Sequence, residues 1–460
     1  MATAVKKTLF GRRKDVDMTQ GNIFRHLLTF AVPLLIGNVF QQLYNMVDSW
    51  VVGNYVSNEA FSAVGTVGPI TYLLIGFFIG FSSGSSVVIS QFYGAKRYEK
   101  VRDAVHTAIV MTFLIGIVFT IIGILIVPLM LSLMDTPETV IPEATEYLTV
   151  YFAGIIGLMV YNMGSGILRA IGDSKRPFYF LVVSAITNIV LDLVFVLVFQ
   201  MGVAGVALAT VIAQALSAVL VLITLFRTST CVKLSFAYLR IDKETLGKIV
   251  KLGIPAALQM AITSFSNVFV QSYINYFDEY AMGGWTAYSK IDQLILLPMQ
   301  SLALASTTFV GQNLGIGNEE RARKGVRTAL VMSMASTVIL MIPVMIFAPQ
   351  AVWFFNKEPF VIDFGTLFIR WLSPFYVLCC INQIYAGALR GSGNTKAPMV
   401  IMLISFVGFR QIYLYVMKNF ISNTILPISM SYPAGWLLCS TLMLIYFKKT
   451  KLTKGRLVKD

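Results

Sequence analysis

Long apolar runs recur along this chain, and short polar connectors separate them. A run of roughly 20 apolar residues is the length that an α-helix needs to cross a bilayer. The first such run begins near Leu27, after a polar and basic stretch at 1–22. That stretch does not resemble a cleavable signal peptide, so we expect the first run to be retained as a helix. The pattern accommodates twelve spanning helices.

Composition supports this interpretation. Of the 460 residues, 57% are hydrophobic and only 13% are charged, which is too apolar for a soluble protein of this length. We therefore predict an all-α, polytopic membrane protein whose surroundings are the lipid bilayer.

The positive charge is unevenly distributed. A net charge of +14 could suggest nucleic acid as a partner, but Lys and Arg are concentrated in alternate connectors and at both termini. The basic positions are Lys96, Arg97, Lys100, Arg102, Lys175, Arg176, Arg321, Arg323, Lys324, Arg327 and the stretch 448–459. By the positive-inside rule, both termini are cytoplasmic and the number of spans is even. We predict a multi-pass protein of the cytoplasmic (inner) membrane that binds no nucleic acid.

The two halves of the chain share landmarks. The segment Leu168-Arg169-x-x-Gly172-x-x-Lys175-x-Pro177 returns as Leu389-Arg390-x-x-Gly393-x-x-Lys396-x-Pro398. Ser90-Gln91 likewise returns as Gly311-Gln312, and the Pro33 segment returns at Pro255. We infer two homologous six-helix lobes with the same orientation in the membrane. The predicted limits are a cytoplasmic segment at 1–22, an N-lobe at 23–228 with helices 1–6, a linker at 229–248, a C-lobe at 249–447 with helices 7–12, and a tail at 448–460.

Ionisable residues within the apolar runs of the first half are few. Asp48 and Asp192 lie at a similar distance from the predicted outer ends of their helices, as does Thr210, and Asn188 precedes Asp192 by one helical turn. Carboxylate, amide and hydroxyl oxygens suit Na⁺, and paired Asp residues also suit a proton. The alternative is a structural hydrogen-bond network. We favour an ion-coupling site, because charged groups inside membranes are usually functional.

The second half carries a different set of charges, namely Lys290, Asp292, Arg370 and Arg410. In one interpretation Asp292 pairs with one cation and the other basic side chains extend to the membrane surface. In the other, Lys290 or Arg410 faces a cavity and favours zwitterionic or anionic substrates.

Neither the cysteines nor the histidines have the spacing of a metal site. Cys231 lies in a basic loop, whereas Cys379, Cys380 and Cys439 lie in apolar runs, so we predict neither disulfides nor zinc. We expect His26 and His106 to be solvated surface side chains.

An enzyme is not indicated. An intramembrane aspartyl protease would also use two Asp residues, but its Gly-x-Gly-Asp motif is absent, since Asp173 follows Ala170-Ile171-Gly172. We therefore predict no catalytic residues. A channel remains an alternative to a transporter.

Over essentially its whole length, the chain resembles the multidrug and toxic compound extrusion (MATE) family. The resemblance rests on the repeated prolines, on Val47-Asp48-Ser49, on Gly311-Gln312-Asn313-x-Gly315 and on both Leu-Arg-x-x-Gly-x-x-Lys-x-Pro segments. It implies export of amphipathic, often cationic, small molecules, such as drugs or toxic metabolites, in exchange for H⁺ or Na⁺ by alternating access. No cofactor is expected beyond this coupling ion, and we expect a monomer.

The acidic pattern resembles the DinF-like and MepA-like branch, whose ion site lies in the first lobe. This resemblance assigns Asp48, Asn188, Asp192 and Thr210 to ion coupling, with Na⁺ as a candidate ligand. It further suggests Gln41, Tyr147 and Asn162 as cavity residues, beside Lys290, Asp292 and Arg410. The acidic positions of the NorM branch correspond to Thr263 and Cys379 here, which argues against a second-lobe site. Lipid-linked saccharide flippases of the same superfamily are the alternative, but paired Asp residues argue against them.

Overall fold

The computed structural model describes residues 16–134 and 136–458, and within these ranges the chain forms helices and connectors without a β-strand. The first half supplies six spans, numbered 1–6 in chain order. They are Ile23–Tyr55, Asn58–Gly94, Tyr98–Leu133, the pair Ile141–Ala153 and Ile155–Ala170, Lys175–Leu193 with the π-helical turn Val194–Val198, and Gly202–Arg227.

The second half repeats this order as spans 7–12. They are Lys243–Ile274, Glu279–Gly315, Glu319–Ile346, Pro359–Leu372 with Tyr376–Gly391, Lys396–Met402 with Arg410–Val416 and the π-helical turns Leu403–Phe409 and Met417–Ile421, and Ile425–Ser429 with Ser431–Lys449. The short helix Ala348–Trp353 precedes span 10, and 3₁₀ turns form at Phe236–Tyr238, Ser373–Phe375 and Leu452–Gly455.

Eleven described helices are long and apolar enough to cross a bilayer, and counting the bent pair of span 4 as one span gives twelve. The two members of that pair meet at Gly154 with a bend of 48°. A Cβ atom at Gly154 would overlap with the side chain of Val211 on span 6, so only glycine permits this close approach. The prediction of an all-α polytopic protein with two six-helix halves is confirmed.

The repeated Leu-Arg-x-x-Gly segments end a helix in the same way in both halves. Gly172 and Gly393 have φ angles of +85° and +87°. Their N–H groups donate to the carbonyls of Arg169 and Arg390 at 2.9 and 2.8 Å. This left-handed cap is strained for any residue with a Cβ atom, which explains why glycine recurs at this point.

The chain forms two compact units. One contains Pro33–Gly253 together with the segment that ends at Asp17, and the other contains Met18–Val32 and the chain from Ile254. The division therefore passes through spans 1 and 7, beside the repeated prolines. The predicted lobe limits at 23–228 and 249–447 follow the linker and the helix ends instead. They stay a prediction.

Each unit has its own packed interior. In the first unit, buried apolar side chains from all six spans form one cluster that includes Val51, Val67, Leu148, Phe152 and Val206. In the second unit aromatic rings are prominent: Trp285 and Phe368 meet edge to face with centroids 5.1 Å apart. The side chains of Asp48 and Asp192 in the first unit and of Arg410 in the second are buried in these interiors.

Candidate functional site

Two carboxyl groups meet inside the first unit. Asp48 lies on span 1, and Asp192 lies on span 5 just before the α-helix gives way to the π-helical turn Val194–Val198. Asp48 is 7% exposed and Asp192 is fully buried. The Asp48 carboxyl group is close enough to interact with that of Asp192. Two facing carboxyl groups can form a hydrogen bond only when one of them carries a proton.

An amide and a hydroxyl complete the group. Asn188 lies one turn before Asp192 on the same face of span 5, and its Nδ2 donates to Oγ1 of Thr210 on span 6 at 3.3 Å. Asp48 also interacts with both of these side chains. We call Asp48, Asn188, Asp192 and Thr210 the carboxyl cluster. The structure therefore brings together all four residues for which the sequence predicted ion coupling.

Several oxygens of this cluster have no hydrogen-bond donor. Oδ1 of Asp48, Oδ1 of Asn188 and both carboxylate oxygens of Asp192 are buried without a partner. Among the described residues, no basic side chain forms an ion pair with either Asp. A buried carboxylate without a donor or counter-ion is strongly unfavourable. The oxygens thus fit a bound cation, either a proton or a hard ion such as Na⁺.

The remaining predicted first-half residues make local contacts. Gln41 Nε2 lies 3.5 Å from the hydroxyl of Tyr44. Asn162 Nδ2 donates at 2.9 Å to the carbonyl of Leu158 on its own helix. Tyr147 is buried and stacks on Tyr151 with centroids 6.3 Å apart. None of the three makes a hydrogen bond with the carboxyl cluster within the described chain.

Sequence reasoning missed Tyr44. This side chain is buried and lies one helical turn before Asp48, on the same face of span 1. The four-residue spacing was a usable signal, but a Tyr in a membrane helix is too common to stand out on its own. Its hydroxyl places a further polar group beside the carboxyl cluster.

In the second unit, Arg410 is buried without a carboxylate partner. It is 2% exposed, and its guanidinium carbon lies 4.7 and 4.4 Å from the ring centroids of Phe406 and Tyr432. Nη1 donates at 3.2 Å to both Ser266 Oγ and Asn267 Oδ1. No described Asp or Glu forms an ion pair with it. Cation–π contacts therefore take the place of an acidic partner.

Of the two interpretations of the second-half charges, the one in which Asp292 pairs with a cation finds no ion pair among the described residues. Oδ1 of Asp292 instead accepts a hydrogen bond from the hydroxyl of Tyr288 at 3.5 Å, and the hydroxyl of Tyr376 donates to that of Tyr288 at 3.2 Å. Lys290 is exposed. It lies two positions from Asp292 on the same α-helix, so the two side chains point in different directions and do not meet. Arg370, the remaining second-half cation, is also exposed.

His106 departs from its predicted solvated position. Its ring is 1% exposed, Nδ1 donates to the carbonyl of Arg102 at 2.7 Å, and Nε2 accepts the N–H of Ser235 at 3.0 Å. The linker therefore covers this imidazole, which a pattern of local hydrophobicity could not indicate. No metal cluster of three or more His, Cys, Asp or Glu side chains occurs in the described parts of the chain. All four cysteines are free thiols.

The fold and the buried polar groups define a polytopic helical transport protein of two repeated halves. The MatE family model matches residues 33–194 and 255–416, once in each half. The chain therefore belongs to the MatE family, a family of multidrug efflux transporters.

Relatives and solved structures agree with this assignment. The "Probable multidrug resistance protein YpnP" of Bacillus subtilis (strain 168) is 31% identical over 85% of this chain and 88% of its own length. The "Probable multidrug resistance protein YoeA" of the same organism is 31% identical over 94% of this chain and 96% of its own length. A structure described as an outward-facing conformation of a multidrug resistance MATE family transporter of the MOP superfamily matches with a TM-score of 0.90. It covers 97% of this chain and 100% of its own at 22% identity, so it supports the fold.

Proposed function

We propose that this protein is an antiporter that exports amphipathic small molecules, often organic cations, in exchange for H⁺ or Na⁺. The observation that supports this proposal best is the carboxyl cluster, where four buried oxygens lack a donor. A structural network would be expected to satisfy these oxygens with hydrogen bonds from the protein. A site that binds and releases a cation must instead leave them available.

The ion would act through charge neutralisation. With a cation bound, the facing carboxyl groups of Asp48 and Asp192 lose their repulsion, and spans 1, 5 and 6 can pack closely around them. Once the ion leaves, two buried negative charges repel each other and favour a rearranged packing. The ion thus changes the relative free energies of two conformations, which is the requirement for coupling it to alternating access.

H⁺ and Na⁺ would use the cluster differently. A proton would be held by the carboxyl pair alone, as a hydrogen bond between Asp48 and Asp192. Na⁺ would also use the oxygens of Asn188 and Thr210, because hard cations require several oxygen ligands. Substitution of Asn188 or Thr210 therefore distinguishes the two ions.

The proposal includes an orientation and an assembly state. The alternation of basic connectors supports a multi-pass protein of the inner membrane with both termini in the cytoplasm. The carboxyl cluster is contained in the first compact unit of a single chain, which supports a monomer as the transporting form.

Reconstitution into liposomes tests the exchange. Wild-type protein should concentrate a cationic dye against its gradient when a pH or Na⁺ gradient is imposed. Asp192→Asn should elute from a sizing column like the wild type but lose this uphill transport, because a neutral amide cannot bind and release the coupling ion. Wild-type rates in this variant would contradict the site. Ion flow without counter-transported dye would indicate a channel instead.

A further inference from the structure

A basic cavity lies within the first unit, apart from the carboxyl cluster. It has a volume of about 380 Å³ and lies between the start of span 3 and the linker. Tyr98, Glu99 and Arg102 contribute from span 3, and the linker contributes Lys233 and Tyr238. The lining thus contains two cations and one carboxylate. We call it the linker cavity.

Among the described residues Arg102 forms no ion pair, although Glu99 also lines the cavity. Its guanidinium carbon lies 4.2 Å from the ring centroid of Tyr238, and its Nε is buried without a hydrogen-bond partner. The neighbouring charges Asp103 and Lys100 are engaged elsewhere, with Arg240 and Glu244 respectively. Nε of Arg102 therefore has a hydrogen that it donates to no described residue.

The arginine at the equivalent position of the second half has an acidic partner. At the offset of 221 residues that relates Gln91 to Gln312, Arg102 corresponds to Arg323 and Tyr98 to Glu319. Arg323 pairs with Glu319 at 2.8 Å and donates to the carbonyl of Thr450 at 2.6 Å.

The chain after span 12 completes that equivalent site. Leu452 N–H and Thr453 Oγ1 donate to the Glu319 carboxylate at 3.1 and 3.0 Å. In the first half a Tyr replaces this carboxylate, so Arg102 has no such anion. An anion bound from outside the protein would pair with Arg102 in the linker cavity, as Glu319 pairs with Arg323 in the second half.

The surroundings of the linker cavity indicate a membrane surface. Phe236 on the linker is 78% exposed and stacks on Phe226, in the last turn of span 6, with centroids 4.8 Å apart. Tyr238 is 45% exposed beside it. Exposed aromatic rings beside the end of a spanning helix are typical of the interface between lipid and water. A ligand in the cavity would therefore lie at the level of lipid headgroups.

We propose that the linker cavity binds the headgroup of an anionic phospholipid. The phosphate would accept hydrogen bonds from Arg102 and be attracted by Lys233, while the acyl chains would lie along the exposed ring of Phe236. The cavity keeps a net positive charge with Glu99 included, so an anionic lipid is favoured over a zwitterionic one. The bound lipid would hold the linker against the start of span 3.

Binding of acyl-labelled phosphatidylglycerol to the purified full-length protein in detergent tests this proposal. Arg102→Gln and Lys233→Gln should each weaken binding about five-fold, the effect of one basic residue near an anionic surface. Lys233 is exposed, so its variant should fold even if loss of Arg102 loosens the linker. Lys324→Gln, which removes one exposed charge elsewhere, is the matched control and should bind like the wild type.

Three results would overturn the proposal. Wild-type affinity in Lys233→Gln would exclude the cavity as the binding site. Equal affinity for acyl-labelled phosphatidylcholine would show that negative charge is not recognised. Displacement of the labelled lipid by soluble glycerol phosphate at similar concentrations would identify a soluble phosphate compound, not a lipid, as the ligand.

Discussion

The two halves of this chain have the same order of spans but differ in the charged side chains of their interiors. The matched segments begin at 33 and 255 and end at 194 and 416, an offset of 222 residues at both ends. Around spans 5 and 11 the landmarks Lys175 and Lys396 set the offset at 221, so Asn188 and Asp192 correspond to Phe409 and Tyr413. Around spans 1 and 7 the repeated prolines set it at 222, so Asp48 corresponds to Val270. A repeated backbone thus carries carboxylates without counter-ions in one half and an arginine held by aromatic rings in the other.

The partners of each buried charge distinguish a candidate ion-binding site from a structural element. In the first half, both carboxylate oxygens of Asp192 and Oδ1 of Asp48 have no donor among the described residues, and we propose that a cation from outside the protein binds there. In the second half, the guanidinium face of Arg410 contacts two rings and its Nη1 bonds to a hydroxyl and an amide, although its Nε has no partner among the described residues. We therefore expect substitutions in the first half to affect coupling, and substitutions in the second half to affect stability.

The largest effect is expected when a permanent cation is placed within the carboxyl cluster of the first half. Asn188→Arg would place a guanidinium against Asp48 and Asp192, where it would form the ion pair that the wild type lacks. A permanent cation would exclude the coupling ion, and uphill dye export in liposomes should be lost. Asn188→Gln, which keeps the amide, is the matched control and should retain much of the transport. If Asn188→Arg exports dye normally, the carboxyl cluster is not the coupling site.

A smaller, different effect is expected at Arg410. Arg410→Lys keeps the charge but loses the planar group that stacks on Phe406 and Tyr432. It should lower the free energy of unfolding by about 2 kcal/mol, the strength of a hydrogen bond to a charged group, because an ammonium cannot contact both rings and also reach Ser266 and Asn267. Denaturation in mixed detergent micelles measures this change. Unchanged stability together with an altered preference between cationic and zwitterionic drugs would instead support a role in substrate selection.

Much of the carboxyl cluster could be predicted from sequence. Asp48 and Asp192 stand out because intramembrane carboxylates are scarce, and the four-residue spacing places Asn188 on the same face as Asp192. The repeated segments around Gly172 and Gly393 also mark true helix ends, since each requires a positive φ. These features depend on local spacing, which a sequence contains.

The features that were missed depend on contacts between distant segments. His106 is buried because Ser235, far away in the chain, donates to it. Phe406 and Tyr432 stack on the guanidinium of Arg410, and Gly435 leaves room beside it. Periodicity and residue type cannot identify such partners.

Direct measurement of ion binding tests the central claim, namely that Asp48 and Asp192 hold the coupling ion. Purified wild-type protein in detergent should take up protons or bind ²²Na⁺, and Asp48→Asn and Asp192→Asn should both abolish this binding. Asp292→Asn is the matched control, since it removes a second-half carboxylate that bonds to a tyrosine, and it should bind the ion like the wild type. Retained binding in Asp192→Asn, or loss of binding in Asp292→Asn alone, would contradict the account.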